Sequence, residues 1–248
     1  MSNRSNHLAS RLAAEFIGTF ALIFIGAGAA AVVGDGAGLD GIGAVAFAHG
    51  LTVMVFAFAY GSLSGAHFNP AVTIGVFSVG AIRAGDAVAY ILSQLAGGVA
   101  GGILLLAVLG GTATGLGTPQ LAHDLALGAT TTLTITPAAG FAIEAVLGFF
   151  LVTVVLNTAV GGRAGNLAPF AIGMTLTLNI IMGGALTGAA FNPARALGPM
   201  IATGKLTDAW LYVLAPIVGA VIAAWVHAGL TRMARERTVA AGPASAAG

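Results

Sequence analysis

The amino-acid sequence predicts an all-α membrane protein in which six transmembrane helices and two half-helices form an inverted repeat. Three observations lead to this fold class. Hydrophobic residues make up 58% of the 248 residues and charged residues only 7%, whereas about a quarter of a soluble domain is charged. Apolar stretches long enough to cross a hydrocarbon core of about 30 Å recur from end to end. A heptapeptide that contains Asn-Pro also occurs twice.

Six apolar segments are predicted to cross the membrane as helices, at about 11–33, 42–61, 87–109, 137–159, 168–186 and 209–231. Two further apolar segments, at about 69–79 and 192–201, are too short to cross. Each begins at Asn-Pro, and because proline is tolerated in the first turn of a helix but not in its interior, each can begin a new half-helix.

We therefore expect a single transmembrane channel-like domain over residues 1–248. Its first repeat spans about 11–109 and its second about 137–231. The Ala- and Gly-rich tail at about 238–248 is expected to be disordered.

The distribution of charge predicts the orientation. An even number of spans places both termini on one side, together with the loops near 80–86 and 161–166. The charged residues of that side are Arg4, Arg11, Arg83, Arg163, Arg232, Arg235, Arg237, Asp86 and Glu236. Those of the opposite side are Lys205, Asp35, Asp40, Asp124 and Asp208. Because basic residues favour the cytoplasmic side, both termini are predicted to be cytoplasmic, and the Ala- and Gly-rich, cysteine-free composition favours a bacterial plasma membrane.

Sequence repetition predicts the position of a functional site. Residues 65–71 (GAHFNPA) match residues 188–194 (GAAFNPA) at six of seven positions, and Glu15 in the first span corresponds to Glu144 in the fourth. Each repeat contains three spans, so the second must lie inverted in the membrane. Inverted repeats that are broken at matched places locate a site near the midplane, between the two halves.

The two Asn-Pro motifs suggest the chemistry of that site. A half-helix that begins inside the bilayer leaves N–H groups that hydrocarbon cannot satisfy. Asn69 and Asn192 stand where an N-cap belongs, and Pro70 and Pro193 have no N–H to satisfy. We expect each asparagine to present two outward-facing donors. We also expect the positive ends of the two helix dipoles to meet at one point. One Asn-Pro would more simply mark a turn, but two matched copies favour a conduit for small neutral molecules that repels cations.

Several segments resemble the aquaporin, or major intrinsic protein, family: AEFIGTF (14–20), HFNPAVT (67–73) and FNPARALGP (191–199). The resemblance covers about residues 10–232. It implies a right-handed bundle of six spanning and two half-helices, assembled as a homotetramer in the lipid bilayer with one pore per subunit. It also implies pore motifs formed by Asn69, Pro70, Ala71, Asn192, Pro193 and Ala194.

The resemblance further implies a selectivity filter near the outer mouth, formed by His49, Ile180, Ala189 and Arg195. Strict water channels usually carry Phe, His, a small residue and Arg there, and glycerol facilitators carry Trp, Gly, Phe and Arg. The set found here is most similar to the plant vacuolar (tonoplast) subfamily. We therefore expect passage of water and of other small neutral solutes (ammonia, hydrogen peroxide, urea), with exclusion of ions and protons and with glycerol facilitation as the alternative.

Five titratable residues in the spans and near the Asn-Pro motifs have expected roles. Arg195 is expected to be the fixed charge that excludes cations, with a salt bridge as the alternative. His49 either lines the pore as a neutral ring that donates and accepts, or is buried against a backbone carbonyl. His67 resembles the family's pore-lining loop histidine, with packing as the alternative. Glu15 and Glu144 are expected to be structural acceptors for N–H groups of the half-helix loops.

Other classes of protein are less well supported by the sequence. A secondary transporter also uses inverted repeats and broken helices, but the motifs place only neutral amides at the midplane. A structural or adhesive membrane protein without an open pore is the other alternative. A net charge of only +1 argues against a nucleic-acid partner. The sequence contains no cysteine and no recognisable set of catalytic residues, so we expect neither an enzyme nor a bound metal or cofactor.

Overall fold

The computed structural model describes residues 2–33, 41–127 and 130–240. These residues form the helices α1 (Ser2–Ala21), α2 (Gly28–Val33), α3 (Ile42–Ser64), α4 (Pro70–Ser78), α5 (Ala84–Val108), α6 (Pro137–Val155), α7 (Ala168–Thr187), α8 (Pro193–Thr203) and α9 (Ala209–Ala240). Asp35 and Asp40, which entered the orientation argument, and residues 241–248 of the expected tail lie outside them.

The prediction of six spanning helices is confirmed. Within the described ranges, six helices are long and apolar enough to cross a membrane: His7–Val33, Ile42–Ser64, Ala84–Val108, Pro137–Val160, Gly165–Thr187 and Ala209–Ala234. The first of them joins α1 to α2 through the π-helical segment Leu22–Ala27, and α6 continues into the π-helical segment Leu156–Val160.

The half-helices α4 and α8 begin at Pro70 and Pro193, where the Asn-Pro motifs predicted them. Each follows a reversal of the chain at a glycine in the left-handed conformation, Gly65 after α3 (φ 90°) and Gly188 after α7 (φ 79°). Glycine adopts this conformation without the steric cost that a Cβ imposes. These two glycines therefore allow the chain to turn back toward the membrane centre.

Two details lie at the periphery of this all-α fold. Helix α9 ends at Ala240, near the expected start of the tail, and Arg232 pairs with Glu236 one turn later within it. The loop after α5 contains an antiparallel pair of two-residue strands, β1 (Leu125–Ala126) and β2 (Thr132–Leu133), which are too short to produce a strand pattern in the sequence.

The two repeats interlock. Half-helix α4 packs against α9 of the second repeat, whereas α8 packs against α5 of the first. Helices α3 and α7, which occupy equivalent places in the repeats, pack along each other at Gly50 and Gly173. A Cβ on Gly50 would lie 2.5 Å from the carbonyl oxygen of Gly173, and a Cβ on Gly173 would lie 2.6 Å from that of Gly50. Small residues allow such close approach of helices in lipid.

The outer surface of the bundle is apolar. Large hydrophobic side chains such as Val32 and Trp225 are exposed, whereas Glu15, Glu144 and Arg195 are buried. This arrangement inverts the pattern of a soluble protein and matches a hydrocarbon surrounding. It also places the polar chemistry inside the bundle, along the line where the two repeats meet.

The glycine contact between α3 and α7 gives a test of this packing. We expect Gly173→Ala to lower the free energy of unfolding by about 1–3 kcal/mol, because the added methyl group overlaps the backbone of α3. Gly61→Ala in α3 is the matched control, since a Cβ there meets nothing within 4 Å. Unfolding in detergent, followed by circular dichroism, measures both variants. Equal midpoints for the two would contradict the packing described here.

Candidate functional site

Both asparagines of the repeated motif cap their own half-helices. Asn69 accepts a hydrogen bond through Oδ1 from the backbone N–H of Ala71, at 2.8 Å. Asn192 accepts through Oδ1 from the N–H groups of Ala194 and Arg195, at 3.0 and 3.2 Å. In each case the side-chain oxygen is used at the helix start, as an N-cap requires. The NH2 group of each amide is thereby turned away from its own helix.

Each asparagine also donates to the opposite repeat. Nδ2 of Asn69 donates to the carbonyl of Phe191 at 3.0 Å, and Nδ2 of Asn192 donates to the carbonyl of Phe68 at 2.9 Å. The expectation of two outward-facing donors on each amide therefore needs correction, because one N–H of each ties the two repeats together. One N–H of each asparagine remains for another partner.

Glu15 satisfies the loop that leads into α4. Its Oε1 accepts from Ser64 Oγ (2.6 Å) and from the N–H of His67 (3.0 Å). Its Oε2 accepts from the N–H of Phe68 (2.7 Å) and from Nε2 of Gln94 (2.8 Å). The side chain is completely buried. These contacts match the structural role that the sequence suggested for this carboxyl group.

Glu144 makes the equivalent contacts in the second repeat. Its Oε1 accepts from Thr187 Oγ1 (2.6 Å) and from the N–H of Ala190 (3.0 Å), and its Oε2 accepts from the N–H of Phe191. The bonds to Glu15 and Glu144 hold the two loops in left-handed backbone conformations that non-glycine residues rarely adopt, as at Phe68 (φ 49°) and Phe191 (φ 31°).

Three residues of this network were not identified from the sequence as parts of it. Tyr90 on α5 donates to the carbonyl of Ser64 at 2.8 Å, and Tyr212 on α9 donates to the carbonyl of Thr187 at 2.6 Å. Gln94 links Glu15 to Thr73, with Nε2 at 3.0 Å from Thr73 Oγ1. The two tyrosines stand at nearly matched distances after Asn69 and Asn192, so a longer alignment of the two repeats could have found them.

A small cavity of about 30 Å³ lies where the half-helices meet. Its lining includes the predicted residues His49, His67, Asn69, Ile180, Ala189, Asn192 and Arg195. They come from α3, α7, α8 and the two loops, so the fold brings together positions that are far apart in the chain. Pro70, Ala71, Pro193 and Ala194 do not line it; they are buried in the first turns of the half-helices.

Arg195 is fixed by the loop that follows α5. Its Nη1 donates to the carbonyl of Gly117 at 2.9 Å, and its side chain is almost fully buried. Among the residues that the structure describes, it forms no ion pair within 4.0 Å, and its Nε has no partner. The arrangement thus differs from the salt bridge considered as an alternative.

His49 combines one feature of each alternative that the sequence left open. It lines the cavity, and its Nδ1 lies 2.9 Å from the carbonyl oxygen of Val45, one turn earlier in α3. A carbonyl oxygen only accepts, so Nδ1 carries the proton and Nε2 of the neutral ring is an acceptor. Nε2 has no partner in the described part of the chain. The expectation that the ring both donates and accepts within the pore therefore needs correction.

His67 lies in the loop before α4. Its Nδ1 is 3.1 Å from Thr73 Oγ1, and its ring meets the ring of Tyr90 edge-on, with 5.3 Å between the centroids. It also lines the cavity. The side chain thus packs against Tyr90 and lines the cavity, and its role in a pore stays a prediction.

Comparisons with known proteins agree on one family. The family described as Major intrinsic protein matches residues 2–227. The chain is 38% identical to Nodulin-26 of Glycine max over 219 residues, which cover 88% of this chain and 76% of that protein. It is also 38% identical to glycerol uptake facilitator protein-like 6 of Lactiplantibacillus plantarum over 221 residues, with coverages of 86% and 94%.

A solved structure shares the fold. The aquaglyceroporin from Plasmodium falciparum superposes with a TM-score of 0.72 at 27% identity, covering 88% of this chain and 94% of that one. The prediction of similarity to the tonoplast subfamily, made from the filter positions, is wrong. The relatives that match over most of the chain include nodulin-26-like proteins and a glycerol facilitator. The expectation rested on four predicted filter positions, whereas these matches extend over more than 200 residues.

The network around Glu15 predicts a large effect of a small change. In Glu15→Gln, an NH2 group replaces one acceptor oxygen and faces buried donors, so we expect the free energy of unfolding to fall by about 2–3 kcal/mol. Glu236→Gln, an exposed change of the same chemistry, should alter it by less than about 1 kcal/mol. Unfolding midpoints in detergent measure both, and equal stability of the two variants would contradict the role of Glu15.

Proposed function

Because the chain belongs to the major intrinsic protein family of membrane channels, we propose that it conducts water and other small neutral solutes passively and excludes ions and protons. The observation that carries the proposal is the meeting of two half-helix starts, with Asn69 and Asn192, at one narrow cavity. The family is one of channels and not of enzymes, and the six spanning helices make the protein an integral, multi-pass membrane protein.

Proton exclusion follows from the donors at the centre. Each asparagine retains one N–H beyond the bond to the opposite loop, and the positive ends of α4 and α8 point to the same place. A water molecule there gives its oxygen to the amides and cannot accept a proton along the chain of waters. Cations meet a positive potential at the same point.

The second element of the proposal is the filter at His49, Ile180, Ala189 and Arg195. Arg195 contributes a buried positive charge that repels cations. Its unpartnered Nε is a donor, and the unpartnered Nε2 of His49 is an acceptor. Ile180 offers no hydrogen bond, so a solute in the filter meets polar groups on part of the wall only. Water, ammonia, hydrogen peroxide and urea fit this description.

Glycerol facilitation is a second candidate, and one observation favours it. A glycerol uptake facilitator-like protein is 38% identical to this chain, and an aquaglyceroporin shares its fold. The small volume of the cavity, about 30 Å³, and the side chains of His49 and Ile180 in its lining argue for slower passage of glycerol than of water. A secondary transporter is disfavoured, because a coupled ion needs a liganding or titratable group at the midplane and the motifs supply neutral amides.

Assembly and orientation are also part of the proposal. Exposed side chains such as Phe58, Phe150 and Leu178 cover the outside of α3, α6 and α7, and they suit lipid or neighbouring subunits of a homotetramer. The excess of arginine near the termini and near residues 80–86 and 161–166 supports cytoplasmic termini in a bacterial plasma membrane.

Stopped-flow measurements on proteoliposomes test the proposed function. We expect water flux well above that of protein-free liposomes, with a low activation energy and without dependence on an ion gradient. Urea and glycerol are measured in the same vesicles, and we expect glycerol to be slower. Flux that saturates at low solute concentration or needs a proton or sodium gradient would identify a transporter. Flux equal to that of empty liposomes would contradict the proposal.

The filter assignment of His49 has its own test. We expect His49→Phe to reduce the flux of ammonia and hydrogen peroxide more than that of water, because the phenyl ring removes the Nε2 acceptor and narrows the wall. Permeabilities of wild type and variant are compared solute by solute in matched liposomes. A proportional loss that is equal for every solute would show that His49 shapes the fold without selecting solutes.

A further inference from the structure

A glycine in the first helix adjoins the ring of His49. Gly26 lies in the π-helical segment Leu22–Ala27, and a Cβ built on it would lie 2.6 Å from Cδ2, 2.8 Å from Cγ and 2.9 Å from Nε2 of His49. Carbon atoms do not approach other heavy atoms this closely without displacement. The ring therefore occupies space that is available only because residue 26 has no side chain.

The ring is held in this place from its other nitrogen. Nδ1 of His49 is bonded to the carbonyl of Val45, and this bond fixes the ring relative to α3. A methyl group at position 26 must either push the ring away from α1, against that bond, or cover Nε2. Both outcomes change the acceptor that His49 presents, and neither requires any change in the half-helices themselves.

The local form of the first helix supports a role at the site. π-Helical turns inside α-helices occur frequently at functional sites, since the extra residue alters which side chains face inward. Here the segment begins at Leu22, whose side chain lines the same cavity as His49 and Arg195, and it contains Gly26 one turn later. The first helix thus contributes to the cavity through the side chain of Leu22 and to the place of the His49 ring through the absence of a side chain at Gly26.

We propose that Gly26 is a specificity-determining residue: the absence of its side chain leaves room for the His49 ring, whose buried Nε2 lacks a partner in the described part of the chain and can accept a hydrogen bond from a solute in the cavity that Arg195 also lines, and this favours solutes that donate through N–H or O–H groups. The proposal rests on the proposed channel function. Gly26 lies outside the four filter positions, and the property selected is the ability of a solute to donate a hydrogen bond.

The physical reason concerns the bonds that a solute loses on leaving water. A solute donor without an acceptor in a buried site loses the free energy of a hydrogen bond. Nε2 of His49 replaces one such acceptor, and Arg195 supplies a donor for the solute's oxygen or nitrogen. Urea and hydrogen peroxide can use both groups. Their passage should therefore depend on an unpartnered Nε2 more than the passage of water does, because water is small enough to keep water neighbours.

The experiment compares Gly26→Ala with Gly43→Ala. Gly43 lies near the start of α3, and a Cβ there meets nothing within 4 Å, so the control makes the same chemical change without the contact. We expect Gly26→Ala to lower the ratio of urea and hydrogen peroxide flux to water flux at least about fivefold, the size of a coupling between residues in contact. Gly43→Ala should retain the wild-type ratio.

A double variant separates this effect from a general disturbance of the helix. In the background of His49→Ala, where the ring is absent, we expect Gly26→Ala to have no further effect on the flux ratios. The double variant is also informative if Gly26→Ala alone folds poorly. Removal of the ring removes the overlap, so the double variant should give more folded protein than Gly26→Ala alone. An undiminished effect of Gly26→Ala in the His49→Ala background would overturn the proposal.

The outcomes distinguish this inference from the proposed function. If wild-type protein conducts water and solutes but Gly26→Ala has the same flux ratios, the inference is wrong and the channel function stands. If wild-type protein conducts neither water nor any solute tested, the proposed function is wrong and the inference falls with it. A loss in Gly26→Ala that is equal for water and for every solute would show that Gly26 serves packing alone.

Discussion

The structure depends on how the chain satisfies backbone N–H groups at two helix starts that lie inside the bundle. Each unpaired N–H costs several kcal/mol in hydrocarbon, and water in a narrow cavity cannot reach all of them. Glu15 and Glu144 meet this need from the first and fourth spans, each accepting from two backbone N–H groups of a loop and from the hydroxyl group of the last residue of the preceding helix. A carboxylate suits the task because it accepts several bonds and donates none. The loops can then hold left-handed conformations that the sequence alone does not favour.

Once the loops are fixed, the geometry of the centre follows. Asn69 and Asn192 each cap one half-helix and bond to the loop of the other repeat, so the two halves are joined beside the cavity that both asparagines line. The close packing of α3 on α7 at Gly50 and Gly173 joins the two repeats a second time. In the proposed function, water and small solutes pass between the two half-helix starts, which carry the positive ends of the helix dipoles.

The sequence predicted this centre well, because the information lies in local motifs and their repetition. Asn-Pro marks a helix start by the chemistry of two adjacent residues, and a second copy reveals the symmetry. Details that depend on contacts between distant segments were not accessible in this way. The bond from Arg195 to Gly117 and the place of the His49 ring against Gly26 join segments with no common pattern. Which ring nitrogen of His49 carries the proton depends on its contact with the Val45 carbonyl oxygen. This contact depends on the orientation of the ring, which the sequence does not specify.

The most direct test of the account measures water and proton flux in the same proteoliposomes, for wild type and Arg195→Val. The variant removes the buried charge of the filter and leaves both asparagine caps in place. The account predicts rapid water flux without proton conductance in wild type, and increased leakage of protons and cations with retained water flux in the variant. Proton conductance comparable to the water flux in wild type would contradict it.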